Sequence, residues 1–301
     1  MTYTAILLIL FSTLLHATWN MYSRKFRVST SLFCVGGFFV SLLLLPVYIY
    51  YYQLLPDVDS QTLLIIMLSS VFQAVYFYGV ANAYQNGNLS IAYPLLRSIP
   101  ILMVLAYVAL FSDMTSISIE AIVSGFLIII GCFFLPMQNL GDFKLANYAN
   151  KMMIFVLLAA LGTAGYSVLD SMGMKRLTAS SADTNMFAIS FSYVYIQVFF
   201  TSIALATISI ANKGNRGDFI KVLKEQKYLS LKINVMAMLS YAPILVAMTL
   251  VTNVTYVVAF RQASIPIAFF LGLILLREVS YPIRWLAIAL IVSGLIMNAL
   301  H

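Results

Sequence analysis

The sequence predicts an all-α polytopic membrane protein with ten transmembrane helices, arranged as two inverted five-helix repeats. Three observations support this prediction: the composition, a series of long apolar segments, and short phrases that recur in the same order in both halves. Of the 301 residues, 62% are hydrophobic and only 9% are charged, whereas about one quarter of a soluble chain is charged. An apolar segment of about 20 residues can cross a bilayer as a helix.

Ten apolar segments fill most of the chain and are the predicted spans. They cover residues 3–23, 31–52, 62–84, 90–111, 119–136, 152–172, 185–211, 232–251, 254–276 and 283–300. The first lacks the basic start and the small-residue cleavage site of a signal peptide, so we interpret it as a span. A polar stretch divides the segments five and five, which predicts a first repeat at 1–137, a connecting loop at 138–150 and a second repeat at 151–301.

Matching phrases in the two halves indicate an internal duplication. RSIPI at 97–101 aligns with ASIPI at 263–267, which sets the fourth span against the ninth. Two further pairs follow the same order: SGFLI (124–128) with SGLIM (293–297), and HATWNMYSRK (16–25) with YSVLDSMGMK (166–175). Because five is an odd number, two copies of five spans must enter the membrane in opposite senses.

The prolines of these phrases predict where a substrate binds. In transporters built from inverted repeats, interrupted helices at equivalent positions lie at the substrate site near the midplane. We therefore predict helix breaks at Pro94, Pro100 and Pro266.

Lysine and arginine are divided unevenly between the loops. The odd-numbered loops and their flanks hold 13, and the even-numbered loops hold only Lys175 and Arg176. The positive-inside rule then places the odd loops in the cytoplasm and both termini outside. This bias accounts for the net charge of +7 without a nucleic-acid partner. Residues 217–232 are predicted to form a basic amphipathic helix held by membrane lipids at the inner leaflet, and the predicted location is a bacterial cytoplasmic (inner) membrane.

Ionisable residues inside the predicted spans are candidates for function, because each costs about 2.5–3.5 kcal/mol near the bilayer centre on insertion scales. They are His16, Arg97, Asp170 and Arg261. Their depths predict an inner layer with His16 and Arg97 and an outer layer with Asp170 and Arg261. Asp170 and Arg261 are the predicted ion pair of an outer gate. Arg97 has no carboxylate at its depth, so it is predicted either to contact substrate or to tie down the broken helix.

Polar and aromatic side chains at helical spacing indicate which faces line a cavity, since polar groups need partners away from lipid. Simple hydrogen bonding between helices, at about 0.6 kcal/mol per pair, is the competing interpretation. The candidate substrate-binding residues are His16, Trp19, Asn20, Gln73, Tyr76, Tyr93, Arg97, Tyr241 and Arg261.

The first span ending in HATWNMYSRK and the third running into YGVANAYQNGNLSIAYPLLRSIPIL resemble the EamA-like transporters of the drug/metabolite transporter superfamily. The resemblance covers essentially the whole chain. It implies a cavity formed by spans one, three and four with six, eight and nine, and transport of metabolites, often outward. Many members have a small residue or Trp-Gly where this chain has His16-Ala17.

These features predict a secondary active transporter that moves a small anionic or zwitterionic metabolite, such as an amino or organic acid, with export as the expected direction. An exporter or importer of cationic amines or drugs, or a flippase for a lipid-linked group, is the alternative. No Walker A motif, G-x-S-x-G or metal-spaced His/carboxylate cluster is present, so the sequence predicts no enzyme, cofactor or metal site. Small-residue pairs such as Gly37 and Ser41 allow a monomer or a homodimer.

Overall fold

The computed structural model describes residues 2–52, 56–86, 89–111, 118–139, 141, 151–181, 185–211, 213–275 and 279–300. Within these ranges the regular structure is helical. The helices are α1 (Tyr3–Lys25), α2 (Thr30–Tyr50), α3 (Ser60–Asn86), α4 (Leu89–Phe111), α5 (Ile119–Phe134), α6 (Lys151–Ser180), α7 (Met186–Ala211), α8 (Lys213–Glu225), α9 (Lys227–Thr249), α10 (Val254–Phe260), α11 (Ser264–Leu275) and α12 (Pro282–Leu300), with a 3-10 turn (Arg261–Ala263) between α10 and α11.

The helices follow most of the predicted apolar segments within a few residues. Helix α9 begins at Lys227, before the predicted start at 232, and the predicted ninth span (254–276) is divided into α10, the 3-10 turn and α11. Two further differences concern α6 and α8. Helix α6 continues to Ser180, past the predicted end at 172, because the polar sequence that follows is still compatible with a helix. The amphipathic helix predicted in 217–232 is present as α8, displaced toward the N-terminus. Among the described residues, α1, α2, α3, α6, α7 and α9 contain stretches long and apolar enough to cross a membrane, and shorter apolar helices occupy the other predicted spans. The protein is therefore an α-helical membrane protein by length and composition.

Apolar side chains cover the outside of the helices, and polar side chains fill part of the inside. Phe11 is 57% exposed on α1, whereas His16 and Asn20 on the same helix are 6% and 5% exposed. Among the described residues, the buried acidic, basic and histidine side chains are those of His16, Arg97, Asp170 and Arg261. An apolar exterior suits lipid, and it forces each interior polar group to find a partner within the protein.

The predicted helix breaks need correction. Helix α4 continues as an α-helix past Pro94 and Pro100, so neither residue breaks it. Near Pro266 the path does change, and the 3-10 turn stands three to five residues before that proline. A proline removes one backbone donor, and the freed carbonyls must find other partners. In the turn, the carbonyl of Arg261 keeps a 3-10 bond from the backbone N–H of Ser264 and also accepts a hydrogen bond from Arg97 at 2.8 Å.

Glycines allow α3 and α6 to pack closely against each other. A Cβ added at Gly162 would lie 2.6 Å from the backbone nitrogen of Tyr76, and one added at Gly79 would lie 2.6 Å from that of Ala159. Helix α6 carries Asp170 and Tyr166, so this contact sets how far those side chains lie from α3.

Replacing Gly162 with alanine is expected to destabilise the fold by about 1–3 kcal/mol, because the added methyl group meets backbone that cannot move aside without separating α3 from α6. The measurement is the thermal unfolding midpoint in detergent. Gly217→Ala on α8 is the matched control, since a Cβ there meets nothing within 4 Å. An unchanged midpoint for Gly162→Ala would contradict the tight packing.

Candidate functional site

Arg97 of α4 reaches across the centre of the bundle and binds the broken segment between α10 and α11. Its Nη2 donates to the main-chain carbonyl of Arg261 at 2.8 Å and to Oγ of Ser264 at 2.7 Å. Its Nη1 lies 2.9 Å from Nε2 of His16. Because a guanidinium only donates hydrogen bonds, His16 Nε2 is the acceptor. Both terminal nitrogens of Arg97 are thus engaged by the protein, as expected for a residue that ties down the broken helix.

His16 and Trp19 extend the group around Arg97 along α1. The indole ring of Trp19 meets the His16 ring edge-on, with centroids 5.0 Å apart, and also packs near Phe33 and Phe77. Among the described residues, Trp19 Nε1 has no hydrogen-bond acceptor although it is buried. Asn20 faces a different neighbour, since its Oδ1 accepts from the hydroxyl of Tyr84 at 3.3 Å.

Arg261 is surrounded by aromatic rings. Its guanidinium carbon lies 5.4 Å from the ring centroid of Tyr241 and 5.9 Å from that of Tyr166. Its hydrogen bond to the Tyr166 hydroxyl is long, at 3.3 Å. Tyr76 packs against Tyr166 with centroids 5.7 Å apart. The side chain is only 5% exposed, and in the described part of the chain it has no carboxylate in ion-pair contact. Arg261 therefore keeps most of its donors free of strong acceptors.

Asp170 lies on α6 with 0% exposure and accepts hydrogen bonds from three neighbouring helices. Helix α7 supplies Gln197, at 2.9 and 2.8 Å from the two carboxylate oxygens, and Tyr193, at 2.8 Å. Tyr241 of α9 donates at 2.5 Å, and Ser69 of α3 also donates. All four donors are uncharged, so hydrogen bonds alone satisfy this carboxylate.

The predicted Asp170–Arg261 ion pair is not formed in the conformation that the structure shows. Tyr241 stands between the two groups, with its hydroxyl on Asp170 and its ring facing Arg261. The predicted separation into two layers also needs correction, because the Arg97 guanidinium bonds the Arg261 carbonyl directly. The inner and outer layers meet at the 3-10 turn, where the Arg261 carbonyl accepts from Arg97 of α4 in addition to the backbone N–H of Ser264.

A cavity lies beside the Asp170 cluster, between α2, α3, α7 and α9. Its polar lining includes Gln73, Gln197, Asn234 and Tyr241, and its apolar lining includes aromatic and aliphatic side chains such as Phe77. Its volume is about 40 Å³, and about 10–15 Å³ suffices for one water molecule. The cavity therefore has room for a few water molecules.

The predicted site residues thus fall into three groups around one centre. His16, Trp19 and Arg97 lie together, Tyr76, Tyr241 and Arg261 meet around Tyr166, and Gln73 lines the cavity. Asn20 lies apart with Tyr84. The side chains of Tyr93 and Pro94 lie outside the described part of the chain.

Sequence reasoning did not include Ser69, Tyr166, Tyr193, Gln197 and Ser264 among the candidate site residues. The signal for Ser69, Tyr193 and Gln197 is helical spacing of polar side chains on α3 and α7. For Ser264, the sequence signal is its place in the repeated phrase ASIPI. Among the described residues, no group of three or more His, Cys, Asp or Glu side chains is placed to hold a metal ion.

An exposed ion pair joins the two halves at one end of the bundle. Arg176, near the end of α6, donates to Asp59, just before α3, at 3.1 Å and to Gln61, in the first turn of α3, at 2.8 Å. Hydrogen bonds from Thr62 lower the pKa of the Asp59 carboxyl, and the bond from Arg176 acts in the same direction. Exposed pairs of this kind contribute little stability, so the contact orients the helix ends more than it holds them together.

The fold and centre define an α-helical membrane protein with a buried, polar and net cationic core. No protein-family model and no curated protein matches the sequence. A solved structure, described only as the crystal structure of a protein, aligns with 100% of this chain and 99% of its own at a TM-score of 0.63 and 15% sequence identity. At this identity the likeness shows a shared fold.

Proposed function

We propose that this protein is a secondary active transporter that moves a small anionic or zwitterionic metabolite, such as an amino or organic acid, by alternating access. In this proposal the chain is an EamA-like member of the drug/metabolite transporter superfamily, with ten spans in two inverted repeats, termini outside and export as its direction. The observation that carries the substrate class is the pair of buried arginines at the centre.

Helix packing supports the proposed repeat. Under that repeat, α1 to α5 correspond in order to α6, α7, α9, the α10–α11 pair and α12. A two-fold axis relating the repeats would make the α3–α6 contact equivalent to the α9–α1 contact, and both contacts are extensive. It would likewise exchange α3–α7 for α9–α2, and α4–α6 for α11–α1. The equivalent helices α2 and α7, and α5 and α12, pack against each other as elements on an axis do.

The two serines of the repeated phrases also fit this relation. Ser98 and Ser264 are equivalent, and Arg97 donates to Ser264. The residue equivalent to Arg97 is Ala263, which has no donor to offer. Among the described residues, Ser98 Oγ is buried without a partner. The first repeat thus bonds to the second through Arg97, and the second repeat has no equivalent arginine.

The charge of the centre favours an acidic group in the substrate. Arg97 and Arg261 contribute two positive charges against the single negative charge of Asp170, and neither arginine forms an ion pair with a described carboxylate. Leaving such charges uncompensated away from water is costly. A carboxylate can accept two parallel hydrogen bonds from one guanidinium and remove that cost. Arg261 suits this task better than Arg97, since the terminal nitrogens of Arg97 are already bonded.

Cationic amines are less well suited to this site. A cation would bind best at a buried carboxylate, and among the described residues that group is Asp170. Its oxygens already accept from Ser69, Tyr193, Gln197 and Tyr241. An amine would have to displace these donors while facing two arginines, so the alternative substrates rank second.

A thermal-shift screen of the purified protein tests the proposal, with amino acids, organic acids, phosphorylated metabolites and amines as ligands. We expect acids or zwitterions to raise the unfolding midpoint and purely cationic amines not to. Hits should then show saturable uptake into liposomes that is stimulated by the same compound on the far side. Stabilisation by a quaternary amine alone would contradict the proposed substrate class, and non-saturating flux would indicate a channel.

A further inference from the structure

Asp170 has a geometry suited to binding a proton, which the proposed anion site does not use. Its carboxylate has 0% exposure, and in the described part of the chain no cation is in ion-pair contact with it. We infer that Asp170 is a proton-binding site, and that the proton and the acidic substrate bind together and cross the membrane in the same direction, so that export of the acid down its own gradient carries a proton out with it. The joint movement of proton and substrate rests on the proposed transport function, whereas the proton site at Asp170 does not depend on it.

Water in the cavity can deliver the proton. Gln197 and Tyr241 each donate a hydrogen bond to Asp170 and each also line the cavity between α2, α3, α7 and α9. A protonated water in that space is therefore one side chain from the carboxylate. It would give a proton to the Tyr241 hydroxyl oxygen while that hydroxyl gives its own proton to the carboxylate, and it would remain as a neutral water molecule; the reverse steps would release the proton.

The donors around Asp170 can accommodate both protonation states. Three of the four are hydroxyl groups, from Ser69, Tyr193 and Tyr241. A hydroxyl can donate to a carboxylate, and it can also turn and accept from a carboxylic acid. A lysine or arginine partner would instead hold the carboxylate in its charged form. Asn20, which stands at the equivalent position of the first repeat, carries an amide that does not ionise.

The charged groups near Asp170 determine whether its protonation strengthens or weakens the binding of an anion. In the described part of the chain, the titratable or charged groups around this centre are Tyr193 on α7, Tyr241 on α9, Tyr76 on α3, Tyr166 on α6 itself, Arg97 on α4 with His16 of α1 beside it, and Arg261 in the 3-10 turn. Tyr241 links Asp170 to the rings that hold Arg261.

Protonation of Asp170 removes the negative charge of this centre and leaves both arginines positive. An anion then escapes the repulsion of the carboxylate and binds more tightly, on the order of tenfold by Coulomb's law at an effective dielectric constant of about 20. By reciprocity, a bound anion increases the proton affinity of Asp170 by the same factor. Because each ligand favours the other, the loaded carrier holds both.

Infrared difference spectroscopy tests the proton site with protons as the only ligand. Acidifying the purified, ligand-free protein should produce a carboxylic-acid C=O band in the wild type that is missing from Asp170→Asn. Asp57→Asn, at an exposed aspartate, is the matched control and should keep the band. Asp170→Glu should shift the band, which keeps the test valid if the asparagine variant fails to fold. Identical spectra for the wild type and both Asp170 variants would overturn the site.

The coupling is tested with each acid that the thermal-shift screen finds. Mildly acidic buffer should tighten its binding on the order of tenfold in the wild type and leave binding to Asp170→Asn unchanged. An inward proton gradient should accelerate its uptake, and Asp170→Asn should lose this acceleration while it still exchanges substrate. Acceleration by the opposite gradient would overturn movement in the same direction. If no acid binds while the infrared band behaves as expected, the failure belongs to the proposed function and the proton site stands.

Discussion

Replacing Arg261 with glutamine is expected to weaken the binding of acidic ligands on the order of 100-fold. Its guanidinium has one long hydrogen bond, at 3.3 Å to Tyr166, and lies over the rings of Tyr166 and Tyr241. Hydrogen bonds between charged groups contribute about 1.5–3 kcal/mol each, and glutamine loses both the charge and the two-pronged geometry. The measurement is equilibrium binding to an acid identified by thermal shift, with the folded state confirmed by size exclusion.

Arg176→Gln supplies the matched control for this variant. It makes the same chemical change at an exposed arginine whose partners are Asp59 and Gln61, so acid binding should not change. Arg261→Lys keeps the charge without the planar fork and should bind with intermediate affinity. Wild-type affinity in Arg261→Gln, together with lost affinity in a folded Arg97→Gln, would assign the substrate contact to Arg97 instead.

Replacing Arg97 with methionine is expected to destabilise the protein by about 2–4 kcal/mol. The change removes the bonds to His16, to Ser264 and to the carbonyl of Arg261. The partners then remain buried with fewer hydrogen bonds, and the turn between α10 and α11 loses its attachment to α4. Thermal unfolding in detergent measures the effect, and hydrogen exchange should rise most at residues 261–264.

The matched variant for this prediction is Ser264→Ala, which removes one of the three attachments of Arg97 and should have a smaller effect in the same direction. Acid binding by the folded fraction of Arg97→Met should fall less than in Arg261→Gln. If Arg97→Met is stable but no longer binds acids, Arg97 does not hold the broken helix in place and contacts the substrate directly.

Most of the helical framework could be predicted from the sequence. Apolar length locates the membrane-crossing helices, and the basic amphipathic pattern identified α8 before α9. The set of buried ionisable residues was also predicted, because a charge within an apolar segment costs too much to face lipid. His16, Arg97, Asp170 and Arg261 are all buried.

The helix breaks were predicted less well. Proline alone does not decide whether a helix is interrupted, since α4 is continuous past Pro94 and Pro100. What distinguishes the segment before Pro266 is a donor from another helix, Arg97, which binds the carbonyl of Arg261. That donor is 164 positions away in the chain, and its contact could not be derived from local sequence.

The sequence by itself determined which segments are apolar helices, which residues must avoid lipid and which phrases recur in the two halves, because hydropathy and spacing are local properties. Only the tertiary structure decided which buried charge meets which partner. It placed Tyr241 between Asp170 and Arg261, and it engaged Arg97 with the main chain while leaving Arg261 among aromatic rings. The physical reason is that a buried polar group is satisfied by whichever donor or acceptor packing brings within about 3 Å, and packing joins residues far apart in the chain.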